Sequence, residues 1–167
     1  MNFLRILCHL KTGQLAVKRT FSVTSLDAIE HAIKQSEACH TGEIIFAVEP
    51  SLDLLPLLKG QSARERAIDL FSLLRVWDTP QNNGVLIYLL LADHDVEIVA
   101  DRGIDAKVGL AGWEAICHEM ERTFRKGQFE AGALAGINAI THLLQTHFPA
   151  ESAGGENILS DRPVVLG

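Results

Sequence analysis

Cysteine is scarce in this chain and badly placed for crosslinking. Cys8, Cys39 and Cys117 are odd in number, widely spaced and never arranged as C-x-x-C, which excludes a full disulfide framework and a zinc knuckle. Reduced thiols in a cytoplasmic protein are the expectation. Positive charge is short as well, with 15 Lys and Arg against 21 Asp and Glu and a net charge of -6. A chain without a broad positive field does not read nucleic acid, and an anionic substrate would need a local cation or a bound metal. Long apolar runs are missing: Val85 to Ala92 falls far below the roughly 20 residues that span a bilayer. The opening MNFLRILCHLKTGQ is interrupted by Arg5 and has no small-residue cleavage site, so it makes a poor signal peptide, and no membrane insertion is expected. Neither G-x-S-x-G, nor a P-loop, nor a dinucleotide fingerprint occurs, and no nucleotide cofactor is expected. Internal repeats and low-complexity blocks are absent too.

What is present fits one soluble domain, since 167 residues with 47% hydrophobic and 22% charged residues give room for a single core. Leu26, Ile29 and Ile33 recur at helical spacing behind Thr24 and Ser25, either of which can cap, so SLDAIEHAIKQSEA is expected to be a helix. GEIIFAVEP, bounded by Gly42 and Pro50, reads as a buried strand. Ser62 and Glu65 have capping-box spacing, and the helix they open carries Ile68, Phe71 and Leu74 on one stripe. GVLIYLLLA is too short and too sharply bounded to be anything but a buried strand, and VEIVA alternates like a more exposed one. Trp113, Ile116, Cys117, Met120 and Phe124 form the apolar stripe of a further helix. In the last helix Gly132, Gly136 and Ala139 permit close approach, while Ile137, Ile140 and Leu144 fill core. Trp77 and Trp113 are expected in or near the core. The boundaries are an N-terminal extension over 1–23, an α/β domain over 24–150 and a tail over 151–167 that starts as a linker and ends in an apolar VVL expected to dock.

Only Asp93, His94 and Asp95 separate the second and third strands. That is too short for a parallel crossover of about a dozen residues, so the two strands form an antiparallel hairpin. The first and second strands have a whole helix between them and are parallel with a right-handed crossover. The sheet is therefore mixed. The hairpin brings the segment entering the second strand to the segment leaving the third, placing Asp78, Asn82 and Asn83 near Asp101, Arg102 and Asp105. Carboxylate and amide oxygens of Asp78, Asn83, Asp101 and Asp105 suit a hard cation such as Ca²⁺ or Mg²⁺, with Arg102 as a phosphate clamp. Asn and Asp are also the commonest turn residues and caps, so each taken singly reads as structural. At the other end, Asp93 and Asp95 form an alternative metal contact, although Asp-His-Asp reads first as a hairpin turn. The segment looks superficially like the strand and Asp-x-Asp of haloacid dehalogenase-type phosphatases, but a strand restarts at once and Glu97 stands where Thr or Val is required. Glu114, His118 and Glu121 share one helix flank with the reach of a metal half-site, while Arg125, four residues beyond Glu121, makes ordinary ion pairing an equal account of the row. Cys117, on the apolar stripe, reads as a small core residue.

The order of these elements, with TGEIIFAVEPS, NNGVLIYLLLADHDVEIVADRGID and FRKGQFEAGALAGINAI, resembles the TPM domain family, named after a thylakoid protein, a photosystem II repair protein and a nematode receptor accessory protein. The family's motifs fall here on Thr41-Gly42, Asn83-Gly84, Asp101 to Asp105, and Phe124 to Gly132. Asn82 replaces the family's Asp before Asn-Gly, and Asp101 replaces the first Gly of its Gly-Tyr-Gly segment. The resemblance implies a Rossmann-like three-layer α/β/α sandwich with a mixed central sheet, metal binding as in some members, and weak acid phosphatase activity as claimed for some plastid members. Others look like accessory factors for membrane-protein assembly. The functional expectation is an accessory or interaction module that binds a divalent metal or a protein partner, a membrane-associated partner included. The rival is a metal-assisted phosphatase of low turnover in which Asp78, Asp101 and Asp105 hold the ion.

Overall fold

The computed structural model describes residues 3–150 and 158–167. Its elements are α1 (Phe3–Lys11), α2 (Gln14–Thr20), α3 (Val23–Glu37), β1 (Ile44–Glu49), α4 (Leu54–Leu58), α5 (Ala63–Leu73), β2 (Val85–Leu90), β3 (Asp95–Ala100), α6 (Arg102–Phe124), α7 (Phe129–His147) and β4 (Val164–Val165). The strands form one sheet in the order β3-β2-β1-β4. β1 and β2 are parallel from Ile44 opposite Val85 to Glu49 opposite Leu90, and β2 and β3 are antiparallel, as the connection lengths require. All six residues of each central strand are buried, because helices cover both faces. Alternate residues accordingly enter two cores. Ile44, Phe46, Val48, Val85, Ile87 and Leu89 meet α3, α6 and α7, and Ile45, Ala47, Leu86, Tyr88 and Leu90 meet α4 and α5. This is the expected three-layer sandwich.

The capping box of α5 forms, with Ser62 accepting from the Glu65 N–H and Glu65 accepting from the Ser62 N–H. The buried face of α5 differs from the expected stripe: Ala63, Ala67 and Leu70 are buried, while Ile68 is 47% exposed. Small side chains let the helix lie close to the sheet, and the bulkier residues are left at its flank. Ser22, rather than Thr24 or Ser25, caps α3 by accepting from the Ser25 N–H. Trp113 is buried as expected, whereas Trp77 is 48% exposed with the Arg75 guanidinium 5.9 Å from its ring centre. That position lies past the end of α5.

α6 starts at Arg102, well before the Trp113 stripe, and Gly109 (φ 73°) breaks its helical backbone. Gly132 and Gly136 of α7 admit α6, since an added Cβ would collide with Phe124 and Met120 respectively. The stretch 151–157, expected as a linker, lies outside the described residues. Beyond it the chain returns as β4, parallel to β1, and the Ile158 and Leu159 N–H groups donate to the Glu43 carboxylate at 3.1 and 3.3 Å. Among the described residues no helix is long and apolar enough to cross a membrane.

Candidate functional site

The end of the sheet where β1 and β2 begin is organised by a sharp turn. Asn82 adopts a left-handed backbone (φ 52°), and its carbonyl accepts from the Gly103 and Ile104 N–H groups at 2.8 and 3.3 Å. Only glycine allows this approach, because a Cβ on Gly103 would stand 2.5 Å from the Asn82 oxygen. The Asp101 N–H donates to the Gly84 carbonyl at 2.8 Å, so the exit of β3 lies against the entry of β2. Asp101 caps α6, with Oδ1 accepting from the Arg102 N–H at 2.7 Å. Its Oδ2 is buried with no hydrogen-bond partner among the described residues. Asn83 is fully buried; its N–H donates to Thr79 Oγ1 at 3.0 Å and its Nδ2 to Thr41 Oγ1 at 3.1 Å. The Asn83 Oδ1 is the second buried oxygen here without a partner.

The other residues expected at this end have different engagements. Asp78 is half-exposed and pairs with Arg75 at 2.9 Å. Asp105 Oδ1 accepts from the Trp113 indole N–H at 2.9 Å, and Arg102 Nε donates to Asn82 Oδ1 at 3.2 Å. Among the described residues no group of three or more His, Cys, Asp or Glu side chains is placed to hold a metal ion. A cation at this end would therefore depend on amide, carbonyl and water oxygens beside the Asp101 carboxylate.

At the opposite end lie the carboxyl termini of the parallel strands, where open α/β sheets usually hold ligands. Here that place is filled. Asp93 accepts from Arg5 Nη2 at 2.8 Å and Nε at 3.0 Å and bonds His9 Nε2 at 3.0 Å. His9 Nδ1 accepts from the Leu52 N–H at 3.0 Å, which leaves the ring proton on Nε2 to be donated to Asp93. Burial raises the Asp93 carboxyl, but the Arg5 and His9 hydrogen bonds outweigh it and hold the group below its ordinary range. Nearby, Glu49 takes a bidentate Arg66 at 2.8 and 2.9 Å and the buried Tyr88 hydroxyl at 2.6 Å.

Asp95 points elsewhere, into a cleft of about 500 Å³ along the free edge of β3, which it lines with Glu97, Asp105, Glu114, His118 and Glu121. Burial first, then Glu97, Glu121 and Asp93, push the Asp95 carboxyl up to about 6. Burial also raises Glu97, against the pull of Arg64. The Cys117 thiol, in the same cleft, is pushed up to about 12 by burial and by Glu97, which makes it a poor nucleophile at neutral pH. Glu121 makes the i,i+4 pair with Arg125 at 3.2 Å. The gathering of Asp95 and Glu97 with the Glu114 flank was not anticipated, although the alternation of DVEIV and the E-x-x-x-H-x-x-E spacing are its signals.

A four-stranded mixed sheet between helical layers, with an Asn-Gly turn locked to an Asp-capped helix at one end, defines a Rossmann-like α/β domain. The chain belongs to the TPM domain family, which matches residues 17–143. It is similar to the solution structure of the BA42 protein from the psychrophilic bacterium Bizionia argentinensis, at 26% identity and a TM-score of 0.73, over 87% of this chain and 94% of that one. It also shares the fold of the N-terminal domain of a P. gingivalis protein, at 17% identity and a TM-score of 0.64, over 83% of each chain. No curated protein matches the chain.

Proposed function

We propose that this TPM domain is an accessory or interaction module without efficient catalysis of its own, and that it takes a divalent cation such as Ca²⁺ or Mg²⁺ at the Asn83–Asp101 end of the sheet. The observation that carries the cation is the pair of buried oxygens, Asn83 Oδ1 and Asp101 Oδ2, that have no hydrogen-bond partner among the described residues. A buried acceptor left unmade costs about 1–3 kcal/mol, and such groups call for a ligand or an ordered water. The non-catalytic reading is supported by how the reactive groups are committed. Arg5 and His9 hold Asp93, Trp113 holds Asp105, and the Cys117 thiol stays protonated. The phosphatase reading has less support, because Asp78 is paired with Arg75 and Arg102 Nε is spent on Asn82. A protein partner in a cytoplasmic setting, membrane-associated partners included, belongs to the same proposal.

Calcium and magnesium titrations followed by residue-resolved NMR test it. The amides of Asn83, Gly84, Asp101 and Arg102 should shift, and Asp101→Asn, which keeps the helix cap, should abolish the shifts. Shifts at Asp95, Glu97 and Glu121 instead would move the cation to the cleft, and no shifts at all would end the cation reading. Phosphate release from a generic aryl phosphate that disappears in Asp101→Asn would establish the enzyme in place of the module.

A further inference from the structure

The helix α1 is docked by Arg5 and His9 together with Ile6, which packs against the second core. Arg5 and His9, at i,i+4 spacing, face the body of the protein and bind Asp93, and His9 is only 3% exposed. The opposite face carries Phe3, Leu4 and Leu10, exposed by 69%, 71% and 67%. An ordinary surface helix buries most of its apolar side chains, whereas α1 leaves these three outside. Further exposed apolar side chains lie on α2 and α4. Leu15 of α2 is 67% exposed, and Leu54 and Leu55 at the start of α4 are 52% and 71% exposed, while Arg5 Nη2 bonds the Gln61 carbonyl just past the end of α4. Clustered apolar side chains of this size mark a surface that another body covers.

Charge indicates what that body is. Before Asp27 the chain has Arg5, Lys11, Lys18 and Arg19 and no acid, whereas residues 27–167 hold the other 11 Lys and Arg against all 21 Asp and Glu. Lys11, Lys18 and Arg19 are exposed. We propose that α1 and α2 form a peripheral docking surface for an anionic lipid bilayer. Phe3, Leu4 and Leu10 enter the boundary between headgroups and acyl chains, and Lys11, Lys18 and Arg19 meet lipid phosphates. The acidic remainder is repelled by the same surface, so the domain approaches with α1 and α2 foremost. A second copy is the poorer occupant, because two-fold pairing through this face would set each group of cations against its own copy. The proposal requires neither the cation nor its site.

Flotation of the full chain with vesicles of phosphatidylcholine alone, and of phosphatidylcholine mixed with phosphatidylglycerol, tests this surface. The protein should float with the mixed vesicles only, and less so as salt rises. Leu4→Ser with Leu10→Ser should lose flotation at every salt concentration. Lys18→Glu with Arg19→Glu should weaken partitioning by at least about tenfold at low salt. All four positions are exposed, so thermal melts should match the wild type, and the leucine variant should keep any calcium-induced NMR shifts. Wild type that ignores anionic vesicles, or floats equally on neutral ones, overturns the proposal. So does either variant floating like the wild type. A dimer in size exclusion that the leucine variant converts to monomer gives the face to a second copy and overturns it as well.

Discussion

Replacing Asp93 by alanine should loosen the first helix before it unfolds the domain. The carboxylate accepts from Arg5 Nε and Nη2 and from the His9 Nε2–H, and the Asp93 and Arg5 side chains keep 17% and 24% exposure while His9 keeps 1%. Breaking a fully buried pair costs about 3–5 kcal/mol because one charge is stranded. Here Arg5 retains the Gln61 carbonyl at 2.8 Å and some water, so the lower end applies. The buried His9 N–H, left without an acceptor, accounts for about 1–3 kcal/mol of it. A total near 3 kcal/mol corresponds to a fall of about 6–12 °C in melting temperature for a domain of this size. Urea denaturation gives the total, and amide exchange shows where it acts: α1 should lose protection while β1 and β2 keep theirs. The pH dependence has a defined sign. The Asp93 pKa is depressed in the folded state, so its contribution is present above the unfolded carboxyl value near 3.9 and is lost as pH falls through the folded value. The gap between wild type and Asp93→Ala should close in acid. A loss within about 0.5 kcal/mol at neutral pH, as for an exposed ion pair, would refute the anchoring role.

The other predictions concern the core and a second buried carboxyl. Gly84→Ala places a Cβ against the Val76 carbonyl oxygen, with the Val76 carbonyl carbon and Cγ1 at 3.0 Å; backbone cannot swing aside, so a loss of about 3 kcal/mol is expected in urea melts, and near-wild-type stability would contradict the close approach. Burial, with help from Glu43 and Asp161 and against the Ile44 N–H, raises the Glu37 carboxyl from near 4.5 to about 9. The folded chain therefore keeps a proton that the unfolded chain releases, and stability should decline as pH rises from about 4.5 towards 9. Glu37→Gln should flatten that slope and be the more stable protein at pH 8; an unchanged slope in chemical denaturation from pH 5 to 9 would remove Glu37 as its source.

Local periodicity made most of the fold legible. The run GVLIYLLLA could only be a strand buried on both faces, and the short Asp93 to Asp95 link could only close a hairpin. Two stripes compete on α5, and hydropathy favours Ile68 and Phe71 over Ala63 and Ala67, the alanines that are in fact buried. Separation from the sheet decides between them, and α5 packs close enough for alanine. The site was less legible for a related reason. Asp78 and Asp101 find partners one to three residues away, Arg75 and the Arg102 N–H, but nothing local says that Arg5 will hold Asp93 or Trp113 will hold Asp105.

By itself the sequence determined the helices and strands from α3 to α7 apart from α4, the mixed sheet, the hairpin and the family resemblance, because helix and strand follow from the spacing of apolar residues and from loop length; α1, α2, α4 and β4 emerged only in the structure. The tertiary structure alone decided which acids are spent and which oxygens remain free. Arg5 reaches Asp93 across 88 positions of chain and His9 across 84, and contacts at such separations exist only once both layers have packed on the sheet. The same packing set α1 so that Arg5 and His9 hold the hairpin while Phe3, Leu4 and Leu10 face outward.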